Sequence, residues 1–114
     1  MQIHYLEIVT PEVEATCASY AAAHDVYFGP PDAGLGNART AVLRGGGLVG
    51  IRAPLRATEQ PVVRPYWLVN DIEAAVAAAV AAGGVVAHPP MEIAGHGTFA
   101  IYIQGGIDHG CWQL

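Results

Sequence analysis

Apolar and polar residues alternate along the chain with a strand period that changes to a helical period. Residues 3–9 are rich in β-branched, aromatic and leucine side chains, which predicts a first strand. Thr10, Pro11 and Glu12 then predict a helix start, with a capping hydroxyl, a proline at the first helical position and an early acid. The apolar residues on one face of this helix are Val13, Cys17, Tyr20 and Ala21.

The first half continues with a loop and two further predicted strands. The Gly29-Pro30-Pro31 run ends the helical region, and residues 32–37 are predicted to be loop. Strands are predicted near residues 39–44 and 48–53, because Gly45-Gly46-Gly47 supplies a hairpin turn between them.

The second half repeats this order of elements. Residues 66–69 predict a strand, and Asn70 followed by Glu73 resembles a capping box at the start of a helix. The buried stripe of that helix is predicted to be Ile72, Val76 and Val80, and Gly83-Gly84 ends it. Strands are predicted near residues 85–87, 97–104 and 107–114, with Gly105-Gly106 as a hairpin turn.

The two halves match each other without a gap when the chain is shifted by 59 residues. Pro30-Pro31 then falls on Pro89-Pro90, and Gly46-Gly47 falls on Gly105-Gly106. Such pairs demand particular backbone geometry, so they are informative even in an alanine-rich chain. We therefore predict a single α+β domain, 1–114, with two βαβββ modules: module one 1–54, a link 55–64 and module two 65–114. A pocket is expected where the two copies face each other.

The amino-acid composition excludes some classes of binding partner. The chain of 114 residues is 53% hydrophobic and 13% charged, with a net charge of −5, five arginines and no lysine. Nucleic-acid and anionic-membrane binders need clustered positive charge, so we expect neither partner. The missing lysine excludes Schiff-base and P-loop chemistry. With so few charged residues, the folded chain is expected to expose a large apolar face. A second copy of the chain would cover that face, which predicts a homodimer.

The sequence does not support a cysteine metal site, a signal peptide, a dinucleotide-binding motif or a serine nucleophile. Cys17 and Cys111 lack the spacing of a metal site, and the chain starts without a signal-peptide pattern, which predicts reduced thiols in a cytoplasmic protein. A glycine pattern over residues 45–50 formally matches the dinucleotide fingerprint, but it precedes a predicted strand instead of a helix. The single serine, Ser19, lies inside the first helix, so a serine nucleophile is not expected.

A tandem repeat of about sixty residues per copy resembles the vicinal oxygen chelate superfamily, which includes glyoxalase I, extradiol dioxygenases and bleomycin-resistance proteins. The resemblance covers nearly the whole chain and is strongest in the second half, over residues 66–72, 83–86, 89–93, 97–100 and 106–113. It points to the short, uncharacterised glyoxalase-like branch that ends in a Trp-Gln pair. It implies two modules that form a curved sheet around a cleft, usually completed by a dimer partner.

The same resemblance allows the family's metal site to be compared with this sequence. Members that need a divalent ion take ligands from the first and last strand of each module, which here become Tyr5, Arg64, Ile51 and Gly110. None of these is a competent ligand, and the charge of Arg64 would repel a cation, so no metal is expected. A shift of one residue would instead offer His4 and His109, with Glu7 as a third ligand, for a divalent metal.

Strand alternation selects the candidate site residues. Glu7, a carboxylate among apolar residues, is the candidate general base or acid, or else it forms a structural ion pair with Arg64 or another arginine. Tyr66 and Trp112 offer flat surfaces to an aromatic ligand, or else they pack in the core. The candidate ligand-binding residues are Tyr5, Arg64, Tyr66, Thr98, Tyr102, Trp112 and His109.

Three functions remain open from the sequence. The first is a small-molecule binder, without a metal or other cofactor, for a small hydrophobic or aromatic ligand, as in the antibiotic-sequestering members that the chain resembles. The second is a glyoxalase-like lyase or isomerase that uses Glu7 as its base, with or without a divalent metal. The third is a subunit or regulatory module whose cleft no longer binds a ligand.

Overall fold

The computed structural model describes residues 1–114 and confirms the α+β class. The strands are β1 (Ile3–Val9), β2 (Arg39–Val42), β3 (Leu48–Arg52), β4 (Val62–Leu68), β5 (Val85–Ile93), β6 (Gly97–Gln104) and β7 (Ile107–Gln113). The helices are α1 (Val13–His24) and α2 (Ile72–Ala81), and Ala33–Leu35 forms one turn of 3-10 helix. Neither helix has the length and apolar character needed to cross a membrane.

Contacts divide the chain into two compact units. The first unit is Tyr5–Val63, and the second is Met1–His4 together with Arg64–Leu114. In the first unit the strand order is β2-β3-β1, with β2 antiparallel and β1 parallel to β3. In the second unit the order is β4-β7-β6-β5, with β4 parallel to β7 and the other pairs antiparallel.

Each unit buries one side of its strands against its own helix. In the first unit the core consists of Ile8, Cys17, Phe28, Ala41, Val49 and Ile51, with Val13, Tyr20 and Ala21 packed against it. In the second unit it consists of Ile72, Val76, Ala100 and Cys111, with Tyr102 beside it. The predicted helix faces are thus confirmed, except that Val80 is 47% exposed. Because strand side chains alternate, the residues between these core positions lie on the opposite side.

The first residues of the two helices are held differently. Asp71 accepts a hydrogen bond from the Ala74 N–H (3.1 Å), and Gln113 Oε1 accepts one from the Ile72 N–H (2.8 Å), so two orphan donors of α2 are satisfied. The cap is Asp71 rather than the predicted Asn70. Helix α1 begins at Val13, later than predicted, because Thr10 Oγ1 accepts from the Glu12 N–H (3.1 Å) in a turn.

The two strands predicted after α1 are confirmed, but the βαβββ order assigned to the first module is wrong. The first unit has two strands after its helix rather than three, since the segment after Pro30-Pro31 forms the 3-10 turn, in which Asp32 accepts from the Gly34 N–H. Strand β5, by contrast, extends through Pro89-Pro90 to Ile93. Prolines are tolerated there because β5 is an edge strand of its unit and its pairing with β6 is irregular between His88 and Met91.

The gapless match between the halves also fails by one residue on the last strand. Tyr66 pairs with Gly110, so the shift of 59 residues predicts that Glu7 pairs with Ile51; instead Glu7 pairs with Gly50. Ile51 is fully buried in the α1 core. The residue that corresponds to Gly110 in space is therefore Gly50, and the sequence-based choice of Ile51 as a site position is wrong.

Candidate functional site

Two groups of candidate residues lie on the strand sides that face away from the helices, one group in each unit. In the first unit the parallel pairing of β1 with β3 sets Glu7 beside Gly50 and Val9 beside Arg52. Their neighbour Ile8 packs in the α1 core, so Tyr5, Glu7 and Arg52 project from the other side. All three are buried, with 3%, 7% and 6% of their surface exposed.

Arg52 is the centre of this first group. Its Nε donates to Glu7 Oε2 at 2.8 Å, and its two terminal nitrogens donate to the two carboxylate oxygens of Glu59 at 2.9 and 2.7 Å. The Glu59 contact and the nearby Glu7 charge raise the pKa of Arg52 further, so this guanidinium stays positive although it is buried. Glu7 therefore forms the ion pair with another arginine that the sequence left open.

Tyr5 lies against Gly50 in the same group. A Cβ added at Gly50 would overlap the Tyr5 hydroxyl, so the phenol occupies the space that the missing side chain leaves. Burial and then the Glu7 charge raise the pKa of Tyr5, which keeps the hydroxyl protonated. Tyr5 is thus neutral and closely packed, so it suits neither the role of an anionic metal ligand nor that of a base.

The second group forms what we call the aromatic face, the side of β4, β7, β6 and β5 that points away from α2 and carries Tyr66, Phe99 and Trp112. Its position follows from the register, since Ala100 and Cys111 pair with each other and pack on α2, whereas the adjacent pair Phe99 and Trp112 points the other way. The Tyr66 ring lies over Gly110, where an added Cβ would overlap it. The pairing with Gly110 therefore fixes Tyr66 on this face.

Ring contacts hold the aromatic face together. Tyr66 packs edge-on against Trp112 (centroids 5.6 Å apart) and Phe99 (6.2 Å). His88 lies 4.7 Å from Phe99 with the rings tilted by 31°. Tyr66 and Trp112 are 4% and 3% exposed, which confirms core packing for both, whereas His88 and Phe99 remain partly exposed. The buried rings form a floor, and the partly exposed rings are the surface that a ligand can reach.

Polar contacts fix the edges of the aromatic face. The Trp112 indole donates to the His96 carbonyl at 2.9 Å, which anchors the Gly95–Gly97 turn. Arg64 donates to Asp108 at 3.0 Å on the same side of the strands. Arg64 is mostly buried there, and its ion pair with Asp108 holds it in place.

The remaining ligand-binding candidates lie on the other side of the second unit's strands. Tyr102 pairs with His109 across β6 and β7, their rings stack 5.2 Å apart, and Tyr102 packs against the α2 core, where burial raises its pKa. Thr98 shares this side because it lies two positions from Ala100. The structure therefore does not bring Thr98, Tyr102 and His109 together with Tyr66 and Trp112, contrary to the sequence-based grouping.

The residues present do not fit the divalent metal that the resemblance to the vicinal oxygen chelate superfamily implies. At the positions facing away from the helices the chain offers the neutral phenol of Tyr5, the cations Arg52 and Arg64, and two glycines, Gly50 and Gly110. A buried guanidinium beside Glu7 repels a second cation. Across the chain, no three His, Cys, Asp or Glu side chains are grouped as metal ligands.

The alternative pair of histidines is separated by a strand. The His4 ring packs on Trp112, with centroids 5.6 Å apart, and burial lowers its pKa. His109 lies on the opposite side of β7 from Trp112 and hydrogen-bonds the Gln104 carbonyl at 3.1 Å. The shift of one residue that would join His4 and His109 in a metal site is therefore not observed.

Sequence reasoning missed four residues of these groups. Arg52 is in a predicted strand, but the one-residue error in register placed its neighbour Ile51 at the site. His88 lies beyond the predicted end of its strand. Phe99 is in a correctly predicted strand but on the side that the choice of Thr98 excluded. Glu59 lies in a loop, where no periodic signal exists.

Comparisons with known proteins identify the fold. The sequence matches no protein-family model and no curated protein. Among solved structures, methylmalonyl-CoA epimerase from Mycobacterium tuberculosis matches with a TM-score of 0.74 and 11% identity, over 97% of this chain and 86% of that chain. A variant of the Streptomyces coelicolor methylmalonyl-CoA epimerase in complex with 2-nitronate-propionyl-CoA matches with a TM-score of 0.71 and 16% identity, over 99% and 96%.

A third solved structure agrees with these two. Hypothetical protein BH1468 from Bacillus halodurans C-125 matches with a TM-score of 0.73 and 13% identity, over 99% of this chain and 94% of that chain. These neighbours have the vicinal oxygen chelate, or glyoxalase-like, fold. The fold expected from the sequence is thus confirmed, and at these identities the likeness concerns the fold alone.

Proposed function

We propose that the chain is a small-molecule-binding protein of the glyoxalase-like kind that works without a metal and holds a small hydrophobic or aromatic ligand on its aromatic face. The observation that carries the proposal is the partly exposed pair His88 and Phe99 above the buried rings of Tyr66 and Trp112. A fixed aromatic floor with accessible rings at its edge suits a flat apolar ligand.

Further side chains support the proposal. Met91 pairs with Phe99 across β5 and β6, and 48% of its surface is exposed, so its flexible thioether can adapt to a bound ring. Ile101 follows Phe99 on the same side of β6 and pairs with Gly110, the position with no side chain. The ligand-facing surface is thus apolar and aromatic, with the Arg64–Asp108 pair as its charged neighbour.

A ligand screen followed by two matched variants tests this function. We expect a planar aromatic compound to raise the melting temperature and to quench the tryptophan fluorescence of the chain, equally with and without EDTA. Phe99→Ala should weaken that compound about tenfold, the effect of losing one ring contact of about 1.4 kcal/mol. Thr98→Ala, the adjacent residue on the opposite side of the strand, is the control and should bind like the unaltered chain. Equal losses in both variants, or loss of binding in EDTA, would contradict the proposal.

A second candidate is a glyoxalase-like isomerase that uses Glu7 as its base, which the epimerase neighbours favour. Glu7 is buried and its charge is compensated by Arg52, a site in which a base can be held in place. The test is exchange of the C2 proton of methylmalonyl-CoA in D2O, followed by NMR. The chain should catalyse exchange, and Glu7→Gln should slow it by a factor of about 10²–10⁴.

The matched control for this isomerase test is Glu14→Gln, which alters an exposed carboxylate of α1. If Glu14→Gln retains exchange while Glu7→Gln loses it with an unchanged far-UV circular dichroism spectrum, Glu7 is supported as the base. No exchange by the unaltered chain excludes this candidate and leaves the binding proposal untouched.

We also propose that the two units are copies of one module, as the sequence predicts. In each unit a helix follows the first strand, and the first strand lies parallel to the last. Strand β4 begins at Val62, inside the predicted link. Superposing β1 and α1 on β4 and α2 tests the relation: if β3 does not then overlay β7, the units are not copies.

A further inference from the structure

A loop of the first unit is hydrogen-bonded to Arg52 at the end of β3. This loop, residues 53–61, which we call the 53–61 loop, follows β3, and from Leu55 to Pro61 every residue except Glu59 is exposed. The Glu59 carboxylate reaches back to Arg52 and also accepts from the Leu55 N–H at 2.7 Å. Glu59 thus ties the middle of this segment to Arg52, and Arg52 Nη1 also donates to the Ala53 carbonyl at the start of the loop (3.2 Å).

The contact between Glu59 and Arg52 has the geometry of a bound ligand. Two parallel N–H donors of the guanidinium meet two oxygens of one carboxylate, at 2.9 and 2.7 Å. This two-point arrangement is the one by which arginine recognises free carboxylates. A small molecule ending in a carboxylate would make the same contacts if the loop moved aside.

Residues outside the loop also hold Arg52 in place. Glu7 accepts from its Nε at 2.8 Å, and Gly36, with a φ of 65°, lies so close that an added Cβ would be 3.1 Å from the Arg52 Cδ. The guanidinium therefore keeps its place and a counter-charge when Glu59 leaves. A donor pair fixed by other residues loses little entropy when a new anion binds.

We propose that the terminal N–H pair of Arg52 is a binding site for the carboxylate of a small molecule, and that Glu59 occupies the site until such a ligand displaces it. Binding of the ligand then releases the 53–61 loop. The ligand class is a small molecule with a terminal carboxylate of the glutamate side-chain type. The site lies in the first unit, so it does not depend on the ligand proposed for the aromatic face of the second.

Limited digestion with trypsin tests the release of the loop. The chain has five arginines and no lysine. Arg56 lies in the 53–61 loop, and Arg44 lies in the exposed turn between β2 and β3, so cleavage after Arg44 is an internal reference. Propionate reproduces the end of a glutamate side chain. We expect sodium propionate to raise cleavage after Arg56 relative to Arg44 by about threefold or more, in a saturable way.

A chloride control separates carboxylate binding from a general effect of ionic strength. Sodium chloride at the same ionic strength should leave the cleavage ratio unchanged, because it lacks the two oxygens of a carboxylate. A ratio unaffected by propionate would show that Glu59 and Arg52 form a permanent structural pair, and a ratio raised equally by chloride would show only an effect of ionic strength; either result would overturn the proposal.

A variant that removes the competitor makes the test sharper. Glu59→Gln keeps the size of the side chain but loses its charge, so propionate should bind about tenfold more tightly than to the unaltered chain, measured by its effect on the melting temperature. Glu12→Gln, an exposed carboxylate before α1, is the matched control and should bind propionate as the unaltered chain does. Unchanged propionate affinity in Glu59→Gln would refute the proposal.

Discussion

In each of the two groups of candidate residues, a tyrosine ring packs on a strand glycine. Tyr5 covers Gly50 in the first unit and Tyr66 covers Gly110 in the second, and in each case a Cβ would overlap the ring. A glycine in a strand usually weakens it, since it adds flexibility and packs no side chain. Here the space left by the glycine is filled by an aromatic ring, so the glycine determines where the ring lies.

Replacing Gly110 should therefore destabilise the protein by overcrowding. We expect Gly110→Ala to lower the free energy of unfolding by about 1–3 kcal/mol, because the methyl group displaces the Tyr66 ring and through it Trp112. Urea denaturation measures the change. Gly29→Ala is the control, since a Cβ there has its nearest atom at 3.9 Å and should cost far less.

The cause of this destabilisation can be isolated with a second change. Tyr66→Val removes the ring, so Gly110→Ala in that background should cost less than in the unaltered chain, a coupling that a double-mutant cycle measures. Additive losses would show that the cost comes from the backbone at Gly110 and not from the ring.

At the scale of elements, the sequence predicted the strand bounds and helix faces that depend on residues near each other in the chain. The bounds of β1 and β6 and, apart from the exposed Val80, the buried faces of α1 and α2 follow from local periodicity, and they are confirmed. The two strands predicted near residues 39–44 and 48–53 are confirmed as well, whereas the third strand implied by the βαβββ order is absent, because Pro30-Pro31 and the Asp32 turn occupy that segment. The extent of β5 was missed because prolines usually end a strand, and their tolerance depends on β5 lying at an edge.

The candidate site was harder to predict because it depends on register. A shift of one residue moves a strand side chain to the opposite side, which is how Ile51 was chosen in place of its neighbours Gly50 and Arg52. Alternation correctly joined Tyr66 to Trp112, but it could not tell which side of β6 faces α2, so Thr98 and Tyr102 were grouped with them. Glu59 reaches Arg52 from a loop, and no pattern of residues encodes such a contact.

At the scale of the whole molecule, apolar side chains remain on the surface while charge is scarce. The chain is 53% hydrophobic and 13% charged, and the large exposed apolar residues include Val85, Ile103 and Ile107 at 64%, 37% and 63% exposure. Val85 and Ile103 are neighbours across β5 and β6, at the opposite end of that pairing from Met91 and Phe99. A partner can therefore cover this end without covering the proposed ligand surface.

We accordingly expect the chain to form a homodimer through the surface around Val85 and Ile103. Sedimentation equilibrium should give twice the chain mass of 11.9 kDa. Ile103→Glu should shift the chain to monomer, because a dimer would bury the new carboxylate without a partner. Val42→Glu is the matched control, since Val42 is 72% exposed on β2 of the first unit and should leave the dimer intact. A monomeric unaltered chain, or equal dissociation in both variants, would place the self-association surface elsewhere or exclude it.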